Sequence, residues 1–326
     1  MLIRSPLLET NKELFMKIIF FGSDDFALTN LEKLGTSGHA IVACVTQPDK
    51  AQGRGLKVLA SPIKEFAVKR NIPVHQPADL NEQRFKEQLR SYHCDLFVVV
   101  AYGKILPLEV LSIPYLCAMN VHGSLLPKYR GAAPIHWAII NGDTETGISI
   151  IKMNAQMDAG DIFAQTKIKI DPQETAGGLR LKMAALGADL LVKTINSLEK
   201  NAYTLAAQDN TKATFAPKLT KELGLLNWTK DAASLANLIR GLLPKPAAYT
   251  YYIGKMLKVL EAEVLDSNAG KARPGEVIGI EKNSFIVQTG RGLLKILKVH
   301  LESSREMDAA SFISGQRLKV GFRFEQ

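Results

Sequence analysis

Five consecutive apolar residues at positions 96–100 constrain the fold more than any other feature of the sequence. Two further apolar runs, at residues 18–21 and 40–45, precede this one, and helical patterns separate the three. A strand that is apolar on both faces is typical of a parallel sheet with helices packed on each side. The sequence therefore predicts a doubly wound, mostly parallel α/β sheet, which begins at Met16.

The pattern of strand and helix continues to about residue 200. Ser23 or Asp24 is the expected N-cap of the first helix, because both side chains accept hydrogen bonds from the free N–H groups of a first turn. Further helices are predicted at residues 62–71, 81–92 and 176–200, and further strands at 73–75, 118–121 and 148–153.

The last third of the chain has a different pattern. After one predicted helix at residues 231–243, five short runs of high β propensity occur at residues 249–253, 257–264, 276–280, 284–289 and 293–298. Their spacing predicts a small antiparallel barrel of OB-like type. The expected organisation is residues 1–15 as an N-terminal extension outside the fold, 16–201 as the α/β domain, 202–221 as a linker and 222–326 as the barrel domain.

Composition excludes several classes of protein. A hydrophobic fraction of 46% and a charged fraction of 22% exclude a disordered or collagen-like chain. No apolar run approaches the roughly 18 residues of a membrane span, so no membrane association is expected. The three cysteines (Cys44, Cys94 and Cys117) cannot all pair and lack metal-ligand spacing, which favours a reducing, cytoplasmic compartment.

The net charge of +9 is concentrated in the last third of the chain. Residues 216–326 contain 17 Lys and Arg against 11 Asp and Glu, which leaves only +3 for the other 215 residues. An excess of this kind favours a polyanionic partner such as nucleic acid, because neutralised phosphates release counterions. A solvated, solubilising surface explains the charge equally well.

Three polar residues in the middle of the chain are candidates for catalysis. Asn120 and His122 lie near the C-terminal end of a predicted strand, and alternation places both on the same side of it. Asp158 follows the strand predicted at residues 148–153. Ligands of open parallel sheets bind beyond the carboxyl ends of the strands, so the carboxylate can meet the histidine there.

This set of residues suits acyl-type transfer without a covalent nucleophile. An Asn amide donates to an oxyanion, a His moves a proton between the attacking and leaving nitrogens, and an Asp orients that His. The sequence contains no GxSxG motif. Taken singly, each residue has a structural alternative: a strand histidine in the core, an asparagine in a turn, and Asp158 as a capping residue.

The flanking residues make the pattern specific. The segments Asn120-Val-His122-Gly-Ser-Leu-Leu-Pro127 and Arg130-Gly-Ala-Ala-Pro134, followed by Gly147 and Asp158-Ala-Gly160, resemble the core of the 10-formyltetrahydrofolate-dependent formyltransferases. The resemblance runs from Met16 to the C-terminus. It implies that Asn120, His122 and Asp158 are the catalytic set and that 10-formyltetrahydrofolate is the co-substrate. It also implies a folate pocket lined by Ser124, Leu125, Leu126, Pro127, Val100, Tyr102 and Leu106.

The segment at residues 46–57 bears on the acceptor of the formyl group. It is polar, places two glycines around Arg54, and by itself is also consistent with an ordinary surface loop. It closely resembles the loop that methionyl-tRNA formyltransferases use to reach the acceptor stem, which implies initiator Met-tRNA as the partner. A basic second domain also fits tRNA, and the length argues against the single-domain glycinamide ribonucleotide formyltransferases.

The tRNA contacts expected from this resemblance, charge and position involve Arg54, Lys50, Lys57, Lys218, Lys221, Arg240 and Lys245. No metal is expected, and a monomer is favoured. Two alternatives remain: formylation of an amino-sugar nucleotide by the same Asn-His-Asp set, and binding of folate and RNA without catalysis.

Two segments depart from the family pattern. Pro244-Lys-Pro246 stands where many members have Pro-Trp-Pro, so the contact made by that Trp is in doubt. Lys128-Tyr-Arg130 stands where Arg-Trp-Arg is frequent, and Lys-Tyr-Arg also occurs in the sugar formyltransferases. Neither departure touches the predicted catalytic set.

Overall fold

The computed structural model describes residues 15–52, 57–265 and 272–325. They form two compact units. The first unit contains the described residues up to His122, together with Ile150–Ala164 and Ala184–Gln208. The second contains Gly123–Ser149, Gln165–Met183 and the described residues from Asp209 onward.

The elements up to His122 alternate between strands and helices as the apolar runs predict. They are β1 (Lys17–Gly22), α1 (Asp25–Leu34), β2 (Ala40–Val45), β3 (Lys50–Gln52), β4 (Lys57–Leu59), α2 (Pro62–Lys69), β5 (Val74–His75), α3 (Gln83–Ser91), β6 (Leu96–Val100), α4 (Leu108–Leu111) and β7 (Cys117–His122).

The middle of the chain adds β8 (Arg130–Gly131), α5 (Pro134–Ile140), β9 (Glu145–Lys152), β10 (Ile162–Lys169), α6 (Ala176–Glu199) and β11 (Phe215–Ala216). Seven strands form one sheet in the order β10-β9-β7-β6-β1-β2-β5. The neighbours from β7 to β5 pair in parallel, which confirms the predicted sheet class.

Local sequence explains the start of the sheet. Residues 18–22 of β1 are buried, because the strand has neighbours on both edges and apolar side chains on both faces. Asp24 caps α1, since its side chain accepts a hydrogen bond from the N–H of Ala27. Ser23, the other candidate cap, instead donates to the carbonyl oxygen of Tyr102.

The remaining elements belong to the second unit. They are α7 (Ala232–Gly241), β12 (Ala248–Tyr252), β13 (Lys255–Leu265), β14 (Val277–Ile280), β15 (Phe285–Gln288), β16 (Leu293–Leu301), β17 (Glu306–Asp308) and α8 (Ala309–Gln316). The strands form an antiparallel sheet in the order β12-β13-β16-β15-β14, with β17 added to β16.

The C-terminal segment closes this sheet into a barrel. Arg323 forms a bridge with Glu276 next to β14, and Glu325 forms a bridge with Tyr251 of β12. Both edges of the sheet are therefore covered. The interior is apolar, and Trp228, whose indole N–H donates to Thr250, is its largest fully buried side chain. The predicted small antiparallel barrel is confirmed.

Several elements escaped prediction from the sequence. The ends of the segment at residues 46–57 pair as an antiparallel hairpin, with Gln52 opposite Lys57, although a polar loop was expected. β10 and α8 also had no predicted counterpart. The predicted N-terminal extension, apart from Phe15, and Arg54 lie outside the described residues. Within the described ranges, no helix is long and apolar enough to cross a membrane.

Candidate functional site

Strand β7 carries the first two residues of the site. Its neighbour β6 pairs with it in parallel, with Val99 opposite Asn120. Alternation along β7 turns Asn120 and His122 to the same side, and both side chains reach Asp158. The structure therefore brings together the three residues that the sequence singled out.

One carboxylate oxygen joins the three side chains. The Asn120 Nδ2 atom donates to Asp158 Oδ1 over 3.3 Å, and His122 Nδ1 lies 3.5 Å from the same oxygen. Only 6% of the His122 side chain and 13% of the Asp158 side chain are exposed to solvent. Low exposure strengthens the attraction between a carboxylate and an imidazolium, because little water screens them.

The turn that carries Asp158 is held from two sides. Asp158 has a φ of +52°, a left-handed conformation that Asp tolerates better than most residues. On one side, the N–H of Lys152 donates to the carbonyl oxygen of Asp161 over 2.8 Å. On the other side, Gln208 Nε2 donates to the carbonyl oxygens of Asp158 and Gly160 over 2.8 and 2.7 Å.

Gln208 is a residue of the site that the sequence did not indicate. It lies in the segment at residues 202–221, whose lack of periodicity predicts only a linker. A single glutamine in such a segment carries no local signal. Its function depends on two carbonyl groups about 50 positions earlier in the chain, as the separations of 50 and 48 residues show.

None of the three cysteines is suited to nucleophilic catalysis. Cys117 lies on β7 itself, but burial raises the pKa of its thiol to about 11. Burial also raises the pKa of the Cys44 and Cys94 thiols to about 12. All three thiols are protonated near neutral pH, whereas the thiolate is the nucleophilic form.

The predicted folate turn at residues 124–127 is fixed by a buried hydrogen-bond network. Ser149 Oγ donates to the carbonyl oxygen of Ser124 and accepts from the N–H of Leu126. Gln165 Nε2 donates to Ser149 Oγ and to the carbonyl oxygen of Leu126. The Leu126–Pro127 peptide bond is cis. Leu125 lies against Gly147, where a Cβ would meet Leu125 Cδ2 at 2.5 Å.

The other predicted folate residues, Val100, Tyr102 and Leu106, are buried in the first unit. The Tyr102 ring contacts Phe21 edge-on, with 5.5 Å between the ring centroids. Its carbonyl oxygen accepts a hydrogen bond from Gln47 Nε2 over 3.0 Å. This contact connects the segment that contains Tyr102 to the first residues of the segment at 46–57.

The base of the 46–57 segment is anchored by charged and amide side chains. Asp49 accepts hydrogen bonds from Lys64 and Gln76. The hydrogen bond from Lys64 is the main cause of the lowered pKa of the Asp49 carboxyl. The backbones of Lys50 and Lys57 lie in β3 and β4, so both belong to the stem of the hairpin.

The basic residues predicted to contact tRNA from the second unit differ in their surroundings. Lys218, Lys221 and Lys245 are exposed. In contrast, the guanidinium of Arg240 donates to Asn237 Oδ1 and to the carbonyl oxygen of Glu174. These three hydrogen bonds use three of the five N–H groups of the guanidinium.

In the part of the chain that the structure describes, no group of three or more His, Cys, Asp or Glu side chains is arranged to hold a metal ion.

Two family models match the chain. The formyl transferase model matches residues 16–195, and the model of the formyl transferase C-terminal domain matches residues 218–317. Among curated proteins, the methionyl-tRNA formyltransferase of Acetivibrio thermocellus is 44% identical over 306 residues, which cover 94% of this chain and 98% of that protein. The methionyl-tRNA formyltransferase of Lachnospira eligens is 42% identical over 310 residues, with the same coverage of each chain.

A solved structure of a sugar 3N-formyl transferase, obtained in the presence of dTDP and 5-N-formyl-THF, has a similar fold. Its TM-score is 0.65, and the match covers 90% of this chain and 100% of that one. Only 19% of the residues are identical, so the likeness concerns the fold alone.

The Gly160→Ala substitution is expected to lower the free energy of unfolding by about 1–3 kcal/mol or more, the usual effect of overpacking. A Cβ at this position would lie 1.7 Å from the carbonyl oxygen of Lys152, and backbone cannot rotate away. Urea denaturation provides the measurement. Gly315→Ala is the matched control, because a Cβ there has no neighbour within 4 Å. Equal stability of Gly160→Ala and the parent protein would contradict the expectation.

Proposed function

The chain belongs to the formyl transferase family, and from this premise we propose that it transfers the formyl group of 10-formyltetrahydrofolate to the α-amine of methionine on initiator Met-tRNA. The observation that carries the choice of acceptor is identity of 42–44% with methionyl-tRNA formyltransferases over 94% of the chain. The product is the formylated Met-tRNA used to start translation, so the enzyme acts in the cytoplasm.

Bond formation begins at the formyl carbon. The neutral amine of the methionine attacks it, and the carbonyl oxygen becomes an oxyanion in the tetrahedral intermediate. We assign stabilisation of this charge to Asn120, since an amide donor in a water-poor site favours the transition state over the ground state. The Asp158 contact at 3.3 Å fixes the amide with its nitrogen toward the carboxylate.

Collapse of the intermediate breaks the bond between the formyl carbon and N10 of the folate. The attacking nitrogen must lose a proton, and N10 must gain one. We assign this transfer to His122, acting through Nε2, because Nδ1 is the ring nitrogen that faces Asp158. The carboxylate orients the imidazole and stabilises the imidazolium that forms during the transfer.

Two buried segments contribute to folate binding in this proposal. The turn at residues 124–127 is restrained because Ser149 donates to the carbonyl oxygen of Ser124 and Gln165 donates to that of Leu126. Val100, Tyr102 and Leu106 of the first unit are the other residues proposed to bind folate, and their side chains are buried in this structure. Rigid elements of this kind hold a co-substrate in position without an entropy cost at the moment of reaction.

The tRNA contacts are proposed for two groups of basic residues. The first comprises Lys50, Arg54 and Lys57 of the segment at residues 46–57, in which Lys50 pairs with Leu59 and Asp49 accepts a hydrogen bond from Lys64. The second comprises Arg240 and the exposed Lys218, Lys221 and Lys245. Contacts to phosphates determine position and make affinity fall with salt, but they do not read sequence. A monomer suffices for this arrangement.

The acceptor is tested by an assay of formyl transfer from 10-formyltetrahydrofolate. Charged initiator Met-tRNA is compared with 4-amino-4-deoxy-sugar nucleotides at equal enzyme concentration. We expect transfer to Met-tRNA alone. Transfer to the sugar alone would retain the chemistry of Asn120, His122 and Asp158 and refute the tRNA acceptor. Absence of transfer to either acceptor, with folate and RNA still bound, would indicate a binding protein.

His122→Ala is expected to lower kcat by about 10²–10⁴-fold, the usual effect of removing a general acid or base. The reason is that His122 carries the proton to N10 in this proposal. Single-turnover kinetics at saturating folate measure the chemical step. The control is His93→Asn, because His93 is an exposed histidine. Its φ is positive, and asparagine tolerates that backbone conformation. Near-parental kcat for His122→Ala would refute the proton-transfer role.

Arg54→Ala is expected to raise KM for Met-tRNA by about 10-fold or more, since a hydrogen bond to a charged group contributes about 1.5–3 kcal/mol. The slope of log affinity against log salt should also become less steep by about one. Folate binding, measured by fluorescence titration, should stay unchanged. Arg84→Ala removes an exposed arginine of α3 and serves as the control. Equal loss of folate and tRNA binding would refute the specific role of Arg54.

A further inference from the structure

The conformation of Asp158 must be maintained by its surroundings. Its φ of +52° lies in the left-handed region, which is unfavourable for L-residues other than glycine. The position of its carboxylate follows from this backbone conformation, because the side chain is short. A change of φ to a common negative value would move Oδ1 away from Asn120 and His122.

Gln208 binds the backbone at this point. An amide NH₂ group has two hydrogens. Those of Gln208 go to the carbonyl oxygens of Asp158 and Gly160, at 2.8 and 2.7 Å. The two carbonyls flank Ala159, so one side chain fixes both ends of the turn at residues 158–160. We call these two hydrogen bonds the Gln208 clamp.

Gln208 is itself placed by backbone pairing. Two residues before it, the N–H of Ala206 donates to the carbonyl oxygen of Ile162, and the N–H of Ile162 donates back to Ala206, each over 2.9 Å. This bridge joins the segment to the start of β10. Gln208 is also partly buried, which reduces competition from water for the two carbonyls.

We propose that Gln208 is a positioning residue, which holds Asp158 in the conformation that lets one carboxylate oxygen contact both Asn120 and His122. The inference rests on the proposed function for its kinetic test. Gln208 does not contact the reacting atoms in this proposal. It acts on the rate through Asp158, so its loss lowers kcat and leaves KM for folate and for Met-tRNA nearly unchanged.

Three variants separate the hydrogen bonds from packing. Gln208→Met retains length and removes both donors, and Gln208→Ala also removes the side-chain volume. Gln208→Glu replaces the NH₂ group by an oxygen, which repels the two carbonyls. We expect Gln208→Met and Gln208→Ala to lower kcat by about 10–100-fold, the scale of a displacement of about 1 Å. Gln208→Glu should lower kcat further at pH 7–8.

The matched control is Gln156→Ala. Gln156 is an exposed glutamine just before the same turn. Its backbone N–H donates to Asn154 Oδ1, but among the described residues its side chain has no hydrogen bond. Its kcat should stay within about twofold of that of the parent enzyme. Circular dichroism melting of every variant separates loss of folding from loss of positioning.

A double-mutant cycle distinguishes positioning from a general structural effect. If Gln208 acts through the carboxylate of Asp158, Gln208→Met in an Asp158→Asn background should change kcat by less than about twofold. If Gln208 only stabilises the fold, its effect multiplies with that of Asp158→Asn. Multiplied effects would therefore overturn the proposal, as would parental kcat in both Gln208→Met and Gln208→Ala.

The acceptor and the clamp are tested separately. Failure of the parent enzyme to formylate Met-tRNA refutes the proposed acceptor, and a crystal structure of Gln208→Met then decides the clamp. Displacement of Asp158 Oδ1 from His122 Nδ1, beyond the present 3.5 Å, supports the clamp. An unmoved Asp158 with its positive φ overturns it.

Discussion

The site depends on one carboxylate oxygen that faces two different nitrogens. Asp158 Oδ1 accepts from the amide of Asn120 and lies next to the Nδ1 atom of His122. The position of the Asp158 carboxylate therefore determines the positions of both groups, because moving the carboxylate displaces the amide and the imidazole together. The parallel sheet contributes by placing Asn120 and His122 on the same side of β7, through the alternation of its side chains.

The Asp158 carboxylate is positioned by a turn whose backbone conformation is not favourable by itself. Asp158 has a positive φ, and Gly160 lies so close to Lys152 that no side chain fits. The turn therefore needs Gly160 from its own sequence, and its contacts with Lys152 of β9 and with Gln208 restrain it further. Strain held by the surrounding structure is typical of functional sites, where it fixes a geometry that an isolated loop would not adopt.

Most of the fold could be predicted from the sequence, since apolar runs such as residues 96–100 have one stable environment, the middle of a parallel sheet. The meeting of Asn120, His122 and Asp158 was also predictable from strand alternation and the family pattern. Gln208 was not, because its partners are two carbonyls that any residue possesses. For Arg240, charge predicts a phosphate contact, but charge could not indicate its hydrogen bonds to Asn237 and to the carbonyl oxygen of Glu174. Tertiary hydrogen bonds of this kind leave no local pattern.

The covering of both barrel edges by residues 323 and 325 has a consequence for biosynthesis. Until residue 325 has left the ribosome, the N–H and C=O groups at the edges of β12 and β14 remain available to other chains. Open edges of this kind promote association between nascent proteins. Ribosomes that translate the same message follow one another closely, so the time at which residues 323 and 325 emerge also determines how long neighbouring nascent chains can pair through their unfinished barrels.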